Sequence, residues 1–121
     1  MKKSILIVDD DSSICKLTAR LLSPDYSTAI ASNGREALQI LSEKKKFDLV
    51  LMDMVMPEID GMELLNTLRS SNKNIAVIMM SGFFTIDSAL EASSQGAYAY
   101  ISKPFDPEDL RLSIENALRD S

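Results

Sequence analysis

Ser4-Ile5-Leu6-Ile7-Val8-Asp9-Asp10-Asp11 is the stretch from which the rest of the chain can be read. Its apolar residues run without a polar interruption and then stop at three aspartates. A strand with one wet face would alternate, so an unbroken run predicts a strand covered on both faces, as in a parallel sheet. Three acidic groups at its carboxyl end need a separate explanation.

The same pattern recurs along the chain. Leu49-Val50-Leu51-Met52 predicts another fully buried strand, again ending on an aspartate, Asp53. Ile75–Met80 predicts a third, ending at Ser81-Gly82, while Ser27–Ala31 is a weaker candidate and Tyr98–Ile101 a short strand. Helical spacing fills the gaps. Ser12 or Ser13 can cap a helix whose apolar face carries Ile14, Leu17 and Leu21, with Cys15 beside them, and Pro24-Asp25 breaks it. Asn33-Gly34 turns into a helix with Ala37, Leu38 and Leu41. Pro57 and Asp60-Gly61 precede Met62, Leu64, Leu65 and Leu68. Thr85 can cap a helix with Ile86, Ala89, Leu90 and Ala92 that Gly96 closes. Asp106-Pro107 starts the last, with Leu110, Leu112, Ile114 and Leu118, because proline suits the first helical position. Five strands alternating with five helices predict an α/β fold, a parallel sheet with helices on both faces. With 121 residues and no repeat or linker, the chain reads as one domain over 1–121.

Composition removes several function classes. There is no histidine and one cysteine, Cys15, which excludes an internal disulfide, His-based acid–base catalysis and the usual zinc sites. A net charge of −5 disfavours direct nucleic-acid contact. Lys44-Lys45-Lys46, the one basic run, reads as a solvated helix end. No apolar stretch nears the roughly 20 residues that a bilayer requires, and the apolar run after Met1 is too short for a signal peptide; a cytoplasmic, non-membrane protein is expected.

In an open α/β sheet the carboxyl ends of the strands lie along one edge, where ligands bind. Asp9, Asp10, Asp53, Ser81 and Lys103 all follow strands and should meet there, although any one aspartate alone is more often a cap or turn former, as Asp11 is read to be. Like charges ~4 Å apart repel by about 4 kcal/mol at an effective dielectric of 20. A divalent cation relieves this, and oxygen-only ligands favour Mg²⁺ or Mn²⁺. A carboxylate, a hard cation, a hydroxyl and a lysine without histidine suit phosphoryl transfer, which needs positioning and charge neutralisation more than proton transfer.

With those motifs in place, the chain resembles the receiver domains of two-component response regulators. The resemblance rests on Ile5-Leu6-Ile7-Val8-Asp9-Asp10-Asp11, Asp53-Met54-Val55-Met56-Pro57 with Asp60-Gly61, Ser81-Gly82, Gly96-Ala97 and Lys103-Pro104-Phe105, in order and spacing. It implies a flavodoxin-like sheet of order 2-1-3-4-5 and a phosphoacceptor, Asp53, served by a phosphohistidine on a sensor kinase or phosphotransfer protein. It also implies Mg²⁺ held by Asp10, Asp53 and the backbone carbonyl of Val55, with Asp9 helping through water. Ser81 and Lys103 would hold the phosphoryl oxygens, Lys103-Pro104 would be cis, and Tyr100 would be the aromatic switch residue. A changed surface at the fourth helix, fifth strand and fifth helix would control an output domain or effector, or a phosphorylation-dependent homodimer. Gly96-Ala97-Tyr98 with Asp106-Pro107-Glu108 is most similar to receivers attached to transcriptional activators of the nitrogen-regulator type. Val55 and Phe83 are apolar where an attacking water would approach, so slow autodephosphorylation is expected.

Other classes remain. A phosphohydrolase of the haloacid dehalogenase type would use Asp9 in a D-x-D pattern as nucleophile, but Ser12 and Ser13 stand where that pattern continues with glycine and threonine. A receiver that binds partners without phosphorylation would not need the complete acidic set. A flavodoxin-like cofactor binder would need a phosphate-cradling loop after the first strand, which this chain lacks, as it lacks tryptophan.

Overall fold

The computed structural model describes residues 2–43, 46–71, 75–82 and 85–120. Five strands, β1 (Ser4–Val8), β2 (Ser27–Ala31), β3 (Leu49–Asp53), β4 (Ala76–Ser81) and β5 (Ala99–Ser102), alternate with α1 (Ser12–Leu22), α2 (Gly34–Ser42), α3 (Gly61–Ser70), α4 (Ile86–Ser94) and α5 (Pro107–Asp120). All pairings are parallel and the sheet order is β2-β1-β3-β4-β5, as the resemblance implied.

The unbroken apolar runs are explained by two cores. Alternate strand residues point to opposite faces. Leu6, Val8, Val50, Met52, Val77 and Met79 meet Ala37 and Leu41 of α2, Leu64, Leu65 and Leu68 of α3, and Ala92 of α4. Ile5, Ile7, Leu49, Leu51, Ile78 and Met80 meet Cys15 and Leu22 of α1 and Leu110, Ile114 and Ala117 of α5. Each central strand is therefore buried on both sides, whereas the edge strands β2 and β5 are only partly covered.

Two details of α1 differ from the sequence expectation. The cap is Asp11, in keeping with its reading as a cap or turn former, and not Ser12 or Ser13: its carboxylate accepts from the N–H groups of Ser13 and Ile14. The buried stripe is Cys15, Thr18 and Leu22, which turns Leu17 outward. A threonine at a core position disguised the true face. On α5 the buried stripe likewise takes Ala117, while Leu112 faces solvent. The Asn33, Asp60 and Thr85 side chains cap α2, α3 and α4 on the N–H groups of Glu36, Glu63 and Ser88. Lys44 and Lys45 lie outside the described residues.

Candidate functional site

The parallel register sets the strand ends side by side. Val8 pairs with Met52, Asp53 with Met80, and Ser81 with Ser102. The residues that leave these strands thus converge on one edge. Asp9, Asp10 and Asp53 each offer a carboxylate oxygen within 4.8 Å of the others. Asp9 and Asp53 are buried, and Asp10 faces outward.

Lys103 ties the cluster together. Its Nζ donates to Asp9 Oδ2 at 2.7 Å and lies 3.4 Å from Asp53 Oδ2. The Lys103-Pro104 bond is cis, as the resemblance implied, and the Lys103 N–H donates to the carbonyl of Ser81 at 2.8 Å. The other oxygen of Asp9 accepts from the N–H of Asp11 at 3.0 Å. Asp53 Oδ1 accepts from the N–H of Val55 at 3.3 Å.

Asp53, 7% exposed, has its acidity weakened. Burial pushes its carboxyl above the ordinary range, the Lys103 ammonium opposes this, and the Asp9 charge adds to the rise. For Lys103, burial pulls the ammonium down, but its hydrogen bond to Asp9 and the charges of Asp53 and Asp9 more than offset it, so the group is raised overall and stays cationic. One ammonium beside three carboxylates leaves the cluster net negative, and the oxygen-only donor set fits a hard divalent cation.

Of the remaining expected residues, Ser81 is buried at the end of β4, next to the strand that carries Asp53. Val55 stands beside Asp53 with its side chain 57% exposed. Tyr100 is half-buried on β5, and its hydroxyl donates to Met54 Sδ at 3.2 Å. Phe83 lies outside the described residues.

Two residues escaped the sequence reading. Met54 had no role assigned beyond its place in a motif. Gly61 was read as a turn former, yet a Cβ there would come within 2.5 Å of the Asp53 carbonyl and 2.7 Å of Met54 Cα. Its missing side chain lets the start of α3 pack against the backbone that presents Asp53. The Gly61 N–H closes this loop on the Met54 carbonyl at 2.8 Å.

A family model described as the response regulator receiver domain matches residues 5–115. The chain belongs to the receiver domain family of response regulators. It is 43% identical over 115 residues to the transcriptional regulatory protein ZraR of Klebsiella oxytoca, a match covering 94% of this chain and 26% of the relative. It is 37% identical over 116 residues to the regulatory protein AtoC of Escherichia coli, covering 95% and 25%. A receiver domain protein of Clostridium thermocellum superposes with a TM-score of 0.91 at 34% identity, over 98% of this chain and 95% of that one. This receiver spans about a quarter of the length of those two curated relatives. The haloacid dehalogenase alternative finds no support: Asp9, its nucleophile, is buried and engaged by Lys103 and the Asp11 N–H.

Proposed function

We propose that Asp53 is the phosphoacceptor of this receiver. The observation that carries the reading is the Asp9–Asp10–Asp53 cluster with the Lys103 ammonium on two of its carboxylates. The donor is a phosphohistidine on a sensor kinase or phosphotransfer protein. An Asp53 oxygen forms a bond to phosphorus, the N–P bond breaks, and its electron pair returns to the imidazole of the donor. An ionised carboxylate attacks without a general base, and the Lys103 ammonium opposes the rise that burial gives the Asp53 carboxyl.

Asp10, Asp53 and the carbonyl of Val55 would hold Mg²⁺, with Asp9 helping through water and Mn²⁺ an acceptable substitute; the ion would supply positive charge to the phosphoryl oxygens. Lys103 and Ser81 hold the other oxygens, and the Val55 N–H steadies Asp53. The exposed Val55 side chain offers no hydrogen bond to a hydrolytic water, which favours a slowly lost acyl phosphate.

Phosphorylation adds about −1.5 to −2 charge at the strand edge. Ser81 moves toward it, Tyr100 turns inward as the switch, and the surface of α4, β5 and α5 changes for an output domain, an effector or a second copy. The domain spans 1–121, works in the cytoplasm and makes no direct nucleic-acid contact. No helix among the described residues is long and apolar enough to cross a membrane.

Incubation with acetyl phosphate and Mg²⁺, then peptide mass spectrometry, tests the acceptor. Label is expected on Asp53 alone and should vanish with chelator. Label that persists in Asp53→Ala overturns the assignment.

A further inference from the structure

We propose that Met54 is the positioning residue of the switch: its thioether holds the Tyr100 hydroxyl and couples β5 to the residue next to the phosphoacceptor. The inference rests on the reading of Asp53 and Tyr100 given above and adds the atom that joins them. Tyr100 Oη donates to Met54 Sδ at 3.2 Å, across 46 residues of sequence. A thioether is a weak acceptor, so an O–H directed at it reflects packing more than bond strength.

The packing is specific. Met54 directly follows Asp53 and is held from both sides of its backbone: its N–H donates to the Met80 carbonyl at 2.8 Å, and its carbonyl accepts from Gly61 N–H at 2.8 Å. Gly61 packs so closely here that a Cβ at that position would come within 2.7 Å of Met54 Cα. The Met54 and Tyr100 side chains both pack against the core on the α2–α3–α4 face of the sheet. A fixed backbone therefore presents a polarizable, adaptable side chain to the one aromatic residue assigned to the switch. Whatever moves Asp53 moves Met54 with it, because they share a peptide bond. The sulfur stabilises the half-buried Tyr100 position seen here, which phosphorylation populates further, and so contributes to the affinity of the site for a phosphoryl group through linkage.

The test uses the chain labelled with ¹³C at its methionine methyl groups, with Met54→Leu and Tyr100→Phe made singly and together. Met54→Leu keeps size and apolarity but removes the acceptor; Tyr100→Phe keeps the ring but removes the donor. Without any phosphoryl mimic, Tyr100→Phe should shift the Met54 methyl resonance, which the Met54→Leu spectrum identifies by its loss. With Mg²⁺ and beryllofluoride, each single variant should weaken half-saturation by about two- to fourfold, the range of one modest hydrogen bond. The double variant should be no weaker than either single. An unmoved Met54 methyl in Tyr100→Phe, or losses that multiply in the double variant, overturns the proposal. If the parent chain fails to bind beryllofluoride, the acceptor reading fails, and the methyl shift still decides whether the Met54–Tyr100 contact exists.

Discussion

Helix α3 follows the strand that ends in Asp53, and α4 follows the strand that ends in Ser81. Both begin the same way, with the side chain before the first turn capping the helix, Asp60 on Glu63 and Thr85 on Ser88. Beyond the cap they differ. Four residues of α3, Gly61, Leu64, Leu65 and Leu68, are buried, and Gly61 touches the backbone of Asp53 itself. Helix α4 buries Ala92 alone and leaves Ile86 73% and Leu90 64% exposed. The anchored helix packs on the backbone that presents Asp53. The other helix has few buried side chains to hold it, and the half-buried edge strand β5 lies beside it, so their shared surface is the easier of the two to rearrange.

The largest effect that would sharpen this contrast is on stability. Leu65→Ala should cost about 3 kcal/mol in denaturant unfolding, because it leaves a cavity in the core under α3. Leu90→Ala should change stability by less than about 0.5 kcal/mol, because its side chain has little burial to lose. Equal losses from the two would mean that α4 is as firmly seated as α3.

A smaller effect concerns charge at the anchored end. Asp53 has its pKa raised in the fold, so the native state holds this proton more tightly than the unfolded chain does. The stability it contributes is present at low pH and is lost as pH rises through the carboxylate range; at neutral pH the ionised group is a cost. Lys103, raised by its carboxylate partners, acts in the same direction but in a higher window: its contribution persists through neutral pH and is lost only as pH rises above the ordinary lysine range. Asp53→Asn in chelator should therefore raise Tm by about 2–4 °C. Mg²⁺ should stabilise the parent more than the variant, through binding to the native state. A lower Tm for Asp53→Asn in chelator would show that the Lys103 pair outweighs burial and the neighbouring charge.

The anchored region was also the more legible in sequence. Leu49–Met52 and Leu64, Leu65 and Leu68 carry their burial in their spacing, and the strand-end rule brought Asp9, Asp10, Asp53 and Lys103 together before any geometry was known. The other side was less so. Ile86 and Leu90 are apolar at helical spacing, as core residues would be, and only the fold reveals that α4 turns them to solvent. The α1 face is disguised in sequence because Thr18 occupies a core position that polarity assigns to the surface. The Tyr100–Met54 contact spans two segments whose side-chain directions no local pattern encodes, and the demand for glycine at position 61 comes from a backbone approach rather than from its turn.

The central claim is that a charge placed on Asp53 is felt on the loosely held side and not on the anchored one. Amide hydrogen exchange of the intact chain, with and without Mg²⁺ and beryllofluoride, tests it directly. Exchange should change across Ile86–Ser94 and Ala99–Ser102 while Gly61–Ser70 keeps its protection. Equal changes in α3 and α4, or no change in α4 and β5 with the mimic bound, would contradict it.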